Sequence, residues 1–271
     1  MVEKFLSYDQ MIAIHDAAES EVRKVTLEWR HMQELIRQGN TLLDGGRSWE
    51  ASDLKANLPL LLAVVGREFS TILPSLKEIQ KTHPHIEAAL RSWNNSEITG
   101  FSLTKRALYA GASQLLPFFI LLLFITRYNK GVLDNLNRSD IADRGDVFAF
   151  APFKPRAHSF QPRSELAGDA KDPLSLRSML CLIGSMTERL RRASPKAESD
   201  RVFLYMPDKS SVVSAGLEGV LIQRGMGTFR AFLKRNSLDD FTVSSIRATL
   251  LDAITNGGGG ISEVWLHRHS I

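Results

Sequence analysis

The stretch FTVSSIRATLLDAITNGGGGISEVWLHRHSI, residues 241–271, sets the expectation for the whole chain. It reads as two short helices joined by a glycine turn. Thr242 or Ser244 can cap the first helix, because a side-chain oxygen there accepts an orphan backbone N–H. Ile246, Leu250, Leu251 and Ile254 recur at helical spacing and are expected to face a core. The run Gly257–Gly260 then stops the helix, since glycine tolerates the left-handed conformation of many helix ends. Val264, Trp265 and Leu266 continue a second apolar face. Arg247 sits one turn into the first helix, and His267, Arg268 and His269 end the second. An arginine and a histidine on adjacent helix ends suit the gripping of a phosphate.

The rest of the chain bounds what surrounds this stretch. At 271 residues with 44% apolar and 24% charged content it reads as one globular domain with a sizeable core, expected over residues 1–271. Formal net charge is +4, and it is unevenly placed. Residues 127–271 carry 21 Lys and Arg against 16 Asp and Glu, whereas residues 1–126 carry 13 against 14. A phosphate-binding surface is therefore expected in the second half. Cys181 is the sole cysteine, so no internal disulfide forms and no cysteine zinc site can be built, which fits a reducing cytoplasm. It falls in the apolar pattern Leu176, Met179, Leu180, Ile183, which predicts a core position. The N-terminus MVEKFLSYDQ is polar and reads as no signal peptide. The most apolar run, Leu115–Ile125, has 11 positions, short of the roughly 18–20 that span a bilayer. It predicts a buried core helix with Pro117 in its first turn, and no membrane partner.

The N-terminal part, 1–100, reads as helical. Ser7 and Gln10 fit a capping box. Met11, Ile14, Ala18, Val22, Val25, Trp29 and Met32 then recur every three or four residues, predicting one long helix that ends near Gly39. Further helical pieces are expected over 54–73, 76–80 and 86–93, broken by Pro59 and Pro74.

The motif-bearing part, 101–271, begins with the apolar helix. This leads into Thr126-Arg127-Tyr128-Asn129, then Val132, Leu133, Leu136 and Ser139-Asp140-Ile141. Val147–Phe150 predicts a strand, Pro152–Arg156 a turn, and Ala157–Gln161 a returning strand. Asp172-Pro173 predicts a helix start, with the helix running to about Arg192. Residues 201–205 read as a strand, and 212–223 and 228–235 as helices.

In order and spacing these motifs resemble the catalytic domain of tyrosine recombinases, the phage-integrase family. The resemblance implies a mainly helical domain with a small antiparallel sheet, an α+β arrangement. It implies DNA as partner, self-association on DNA, membership of a mobile element, and no metal or nucleotide cofactor. Ser244-Ser245-Ile246-Arg247 takes the place of the family's histidine–two residues–arginine motif, with Ser244 where histidine often stands. Leu266–Ile271 takes the place of the last histidine motif; strict counting puts Arg268 at the histidine, with His267 and His269 beside it. Asn129 occupies the position of the first catalytic arginine. It can donate a hydrogen bond to a phosphate oxygen but brings no charge. Arg127 and Lys130 are the nearest charges in sequence. Lys154, with Arg156 as runner-up, matches a hairpin lysine that in the family reaches the minor groove and protonates the leaving hydroxyl. The resemblance thus implies catalytic roles for Arg247, Lys154, His267 and His269. It implies phosphate contacts from Asn129, Arg127, Arg156, Ser244 and Arg268.

The family nucleophile is a tyrosine about one helix beyond the last histidine motif. Here Tyr8, Tyr109, Tyr128 and Tyr205 all lie upstream. The expectation is a recombinase-like protein incomplete at its C-terminus, which binds DNA and does not cut it alone. The alternative is a non-catalytic DNA-binding or helical scaffold protein.

Overall fold

The computed structural model describes residues 5–46, 49–94, 98–154, 159–160, 162–207, 211–222 and 227–255. Helices dominate. They are α1 (Tyr8–Asp44), α2 (Ala51–Ala56), α3 (Leu58–Glu68), α4 (Leu76–Thr82), α5 (Pro84–Ser92), α6 (Gly100–Leu108), α7 (Ala112–Thr126) and α8 (Lys130–Asp134). A sheet region follows, then α9 (Leu176–Ala193), α10 (Glu218–Ile222), α11 (Thr228–Arg235) and α12 (Val243–Thr255). All described strand pairs are antiparallel. The mainly α architecture with a small antiparallel sheet is the one expected.

Helix α7 is the axis of the fold. Its residues from Gln114 to Phe124 are all buried, so it has no polar face to turn to water. Helices α1, α9, α11 and α12 and a strand of the sheet pack against it. By length and composition the segment Gly100–Thr126 could span a membrane, but 78% of its most apolar window is covered by the protein's own core. Pro117 lies inside the helix and not in its first turn. The ring removes one intrahelical hydrogen bond, a cost the surrounding core absorbs.

Helix α1 starts as predicted. Ser7 Oγ accepts from Gln10 N at 3.2 Å and Gln10 Oε1 accepts from Ser7 N at 2.9 Å. It does not stop at Gly39 but runs to Asp44. Gly39 has another purpose: a Cβ there would stand 1.9 Å from the Pro59 carbonyl oxygen. The glycine lets the start of α3 press directly on α1. Helix α9 is capped by Ser175, whose side chain accepts from Ser178 N, not by Asp172. Cys181 is exposed, on the outer face of α9, which corrects the core position expected of it.

Strands β1 (Ile141–Asp143), β2 (Val147–Phe150) and β5 (Arg163–Leu166) form a three-stranded sheet in the order β1-β2-β5. Between β2 and β5 the chain makes a hairpin of β3 (Phe153–Lys154) and β4 (Ser159–Phe160). The returning arm is therefore longer than the expected 157–161, since β5 continues the ladder to Leu166. A last pair, β6 (Leu204–Tyr205) with β7 (Ser214–Ala215), places a strand where sequence suggested the start of a helix. Gly216, at φ +76°, makes the turn from β7 into α10. Its conformation excludes most side chains, and a Cβ would meet the Asp134 carboxylate at 2.5 Å.

The ends of the described chain meet. Leu6 N donates to Thr249 Oγ1 at 2.8 Å in a buried setting, tying the entry to α1 onto α12. Arg235 of α11 holds Glu21 of α1 through two bonds of 3.1 and 2.9 Å.

Candidate functional site

Three arginines converge where α7 ends. Thr126 closes the helix by donating its hydroxyl to the Leu122 carbonyl at 2.6 Å. Arg127 follows in the left-handed conformation at φ 54°, its N–H still donating to Leu123 O at 2.9 Å. A non-glycine residue held there costs about 1 kcal/mol. The turn aims the Arg127 carbonyl at α12, where Arg247 Nε donates to it at 3.1 Å. The third arginine, Arg163 of β5, sits opposite Phe150 in the sheet ladder. Its guanidinium carbon lies 5.2 Å from the centre of the Tyr128 ring. Tyr128 is 1% exposed and meets the Phe150 ring edge-on at 6.4 Å, so it is the floor on which the cluster rests.

One carboxylate enters the cluster. Glu165 Oε1 stands 3.9 Å from Arg127 Nη2, with side chains 16% and 33% exposed. Burial pushes the Glu165 carboxyl above the usual carboxylate range, and Arg127 and Arg163 pull it back only in part. Among the described residues the set therefore holds three formal positive charges and one carboxylate paired with them.

Arg247 shows the imbalance most clearly. Burial lowers its pKa, and the like charge of Arg163 lowers it further. Among the described residues no carboxylate forms an ion pair with Arg247 or Arg163. A partly desolvated guanidinium beside another cation is an unfavourable arrangement unless an anion completes it. Arginine is suited to that anion being a phosphate, because its planar fork offers paired donors.

The basic residues on α9 and α3 differ. A cavity of about 360 Å³ is lined by Trp29, Gln33, Gly66, Arg67, Arg189 and Arg192 among others. There each arginine already has a partner. Arg67 pairs with Asp44 at 2.7 Å and Arg192 with Glu188 at 3.3 Å. Arg189 donates to the Gly66 carbonyl near the C-terminal end of α3 and lies 5.9 Å over the Tyr109 ring. That placement complements the negative end of a helix, but Arg189 Nη1 is buried with no hydrogen-bond partner among the described residues.

The sequence-derived residues fall as follows. Arg127 and Arg247 are brought into direct contact across 120 positions. Asn129 is half-buried at the N-cap of α8, where its carbonyl accepts from Val132 and Leu133 and its side chain makes no capping bond. Ser244 is exposed on the first turn of α12, three positions before Arg247 and so on the same side of the helix. Lys154 pairs with Ser159 in the hairpin. Arg156, His267, Arg268 and His269 lie outside the described residues. Sequence reasoning missed Arg163 and Glu165. The signal for them was the ladder register, in which a return arm extended past Gln161 sets Arg163 across from Phe150.

Tyr128 is the tyrosine nearest this cluster in sequence and space, but its hydroxyl is held in reserve by burial. Its pKa is raised to about 12, burial being the main cause, with Glu165 and Asp140 adding to it against Arg163. Away from the cluster, His15, Asp16 and Glu19 on α1 bring donor atoms within 4.8 Å of one another. The His15 ring also packs edge-on against Phe124 at 5.3 Å, on the core side of the helix.

No protein-family model matches this chain, and a search of curated proteins also finds no match.

Proposed function

We propose that this chain is a DNA-binding protein of the tyrosine-recombinase kind that does not cleave DNA by itself. One observation carries the reading: Arg127, Arg163 and Arg247, drawn from three distant parts of the chain, gather at the end of α7 with a single carboxylate among the described residues paired to them. A phosphodiester supplies the missing negative charge and accepts donors from more than one arginine. The order of elements supports the same reading, with an apolar helix, an arginine turn, an antiparallel sheet bearing a lysine hairpin and a late arginine helix in sequence. Asn129 beside this cluster would add a neutral donor. Binding without cutting fits the burial of Tyr128 and Tyr109 and the half-burial of Tyr8 and Tyr205, since attack needs an oxygen free to approach a phosphorus in line.

Fluorescence anisotropy with a labelled duplex over a salt series tests it. The protein is expected to bind with an affinity that falls linearly with log salt. Arg247→Gln should weaken binding to all sequences and reduce the salt slope by about 1. Arg247→Lys should restore the slope. Arg67→Gln, which breaks a pair outside the cluster, should change neither. Absence of binding at low salt, or a slope that Arg247→Gln leaves intact, overturns the proposal and favours a helical scaffold.

A further inference from the structure

The cavity lined by Arg189 holds a charge that no described carboxylate answers. Helices α1, α3, α6 and α9 enclose it. Of its arginines, Arg67 and Arg192 are exposed and each pairs with a carboxylate, Asp44 and Glu188 respectively. Arg189 is half-buried, and among the described residues no carboxylate forms an ion pair with it. Its Nη2 donates to the Gly66 carbonyl and its guanidinium lies over the Tyr109 ring. Nη1 is covered and has no hydrogen-bond partner among the described residues. Burial lowers the Arg189 pKa, and the like charge of Arg192 adds to that. A desolvated guanidinium without a counter-ion is costly.

Room for a counter-ion lies beside this charge. At about 360 Å³ the cavity falls within the roughly 300–1,000 Å³ of small-molecule sites. A Cβ on Gly66 would stand 3.7 Å from Arg189 Nη1, so the glycine keeps the space next to the guanidinium open. Hydrogen bonds already fix the walls. Trp29 Nε1 donates to Ser185 Oγ at 3.4 Å, and Gln33 Nε2 donates to the Ala107 carbonyl at 3.0 Å. Trp29, Ile36, Ala63 and Leu108 make part of the lining apolar. Charge, size and polarity together select the occupant. One unanswered positive charge matches a monoanion, whereas a phosphate dianion would bring one negative charge too many. A cavity of this size admits a small molecule and excludes a nucleic-acid duplex. The apolar walls match an apolar body behind the charged group.

We infer that this cavity binds a small organic monocarboxylate, its carboxylate facing the Arg189 guanidinium and its apolar body lying against Trp29, Ile36, Ala63 and Leu108. Arg189 lines the cavity and is only partly covered, so its delocalised charge reaches the carboxylate although Nη1 itself is shielded from water. A small turn of the guanidinium toward the carboxylate gives Nη1 the acceptor it lacks. The site shares no residue with the arginine cluster at the end of α7 and stands apart from the DNA-binding reading.

Isothermal titration calorimetry on the whole chain tests it, with 2-naphthoate and octanoate as probes. Neutral 2-naphthamide and inorganic phosphate serve as comparisons. Both carboxylates are expected to bind at millimolar concentration or below, with 2-naphthamide about tenfold weaker than 2-naphthoate because it lacks the charge. Arg189→Gln should weaken 2-naphthoate about tenfold and leave 2-naphthamide unchanged. That variant also loses the bond to the Gly66 carbonyl, so Gly66→Leu provides an independent check. It keeps Arg189, places its Cβ in ordinary contact with Leu108 at 3.5 Å, and suits a helix better than glycine does. By filling the space beside the guanidinium it should abolish binding of both naphthyl probes. No binding of either carboxylate at millimolar concentration overturns the inference. Equal affinity for 2-naphthoate and 2-naphthamide overturns the role of the charge, and phosphate binding as tight as 2-naphthoate overturns the role of the apolar walls. Wild-type affinity in Gly66→Leu places the probe elsewhere and overturns the site.

Discussion

Arg127 Nη2 stands 3.9 Å from Glu165 Oε1, the one carboxylate among the described residues that forms an ion pair with the three-arginine cluster. Burial raises the Glu165 pKa despite two nearby arginines. A carboxyl whose folded pKa is raised stabilises the fold at pH values below its unfolded pKa and loses that contribution as pH rises through the folded value. Asp143 has the opposite sign. Its hydrogen bonds from Arg177, and then from Gly145 N, lower its pKa, so its contribution is present above the ordinary aspartate range and is lost as pH falls. Urea unfolding of Glu165→Gln from pH about 4 to neutral should therefore show a variant that gains on the wild type as pH rises. Asp143→Asn should show a variant that loses on it over the same range. Parallel curves for Glu165→Gln and wild type would mean that Glu165 is not buried as described.

Glycines on two helices should respond with opposite signs. A Cβ on Gly39 would stand 1.9 Å from the Pro59 carbonyl oxygen and 2.7 Å from Ala63 Cβ, both on α3. Backbone cannot step aside as a flexible side chain can. Gly39→Ala should destabilise by about 3 kcal/mol, at the upper end for overpacking. Nothing lies within 4 Å of a Cβ on Gly184 in α9, where alanine should stabilise by up to about 1 kcal/mol. Chemical denaturation of the two variants measures both changes. A neutral Gly39→Ala would show that α1 and α3 are not in this close contact.

The same glycine shows where the sequence was legible and where it was not. Periodicity announced the long α1 because Met11, Ile14, Ala18, Val22, Val25 and Trp29 all face the core. It announced α7 because a run of apolar residues with no polar face has nowhere to go but inside. Gly39 read as a stop because its reason for being glycine lies on another helix, and no local pattern carries that. Ser175 and Asp172 are both good caps, and only the local backbone chooses between them. Strand β5, Arg-Ser-Glu-Leu, has little apolar alternation to declare it; its register comes from β2. That is why Arg163 and Glu165 were missed, whereas Arg127 and Arg247 were named through the recombinase resemblance; Arg127 ends α7 and Arg247 lies one turn into α12.

The junction of the first and last described elements can be tested with one atom. Thr249 Oγ1, 4% exposed at the residue level, accepts the Leu6 N–H at 2.8 Å. Thr249→Val keeps the shape and removes the acceptor, leaving a buried N–H without its bond. The expected cost is about 1–3 kcal/mol. Limited proteolysis should also cut sooner near residues 5–7, because Leu6 is 8% exposed and depends on this docking. Unchanged stability together with unchanged cleavage would show that the entry to α1 is held by packing alone.

The proposal that this protein does not cleave DNA by itself can be tested directly on the same molecule. Attack on a phosphodiester needs an oxygen in line with the phosphorus and a base or charge that draws off its proton. Tyr128 is nearest the arginine cluster, but with its pKa at about 12 only about one molecule in 100,000 carries the phenolate at neutral pH. Its 1% exposure also keeps it from the phosphate. Tyr205 is half-buried in β6, its pKa raised by burial and eased by a hydrogen bond with Ser214. Incubation with a nicked suicide duplex should give a shifted band on a native gel and none on a denaturing gel. A denaturing-gel adduct that vanishes in Tyr128→Phe or Tyr205→Phe would mean that the buried phenol swings out to react. The arginine cluster would then be a catalytic centre and not only the phosphate grip proposed above.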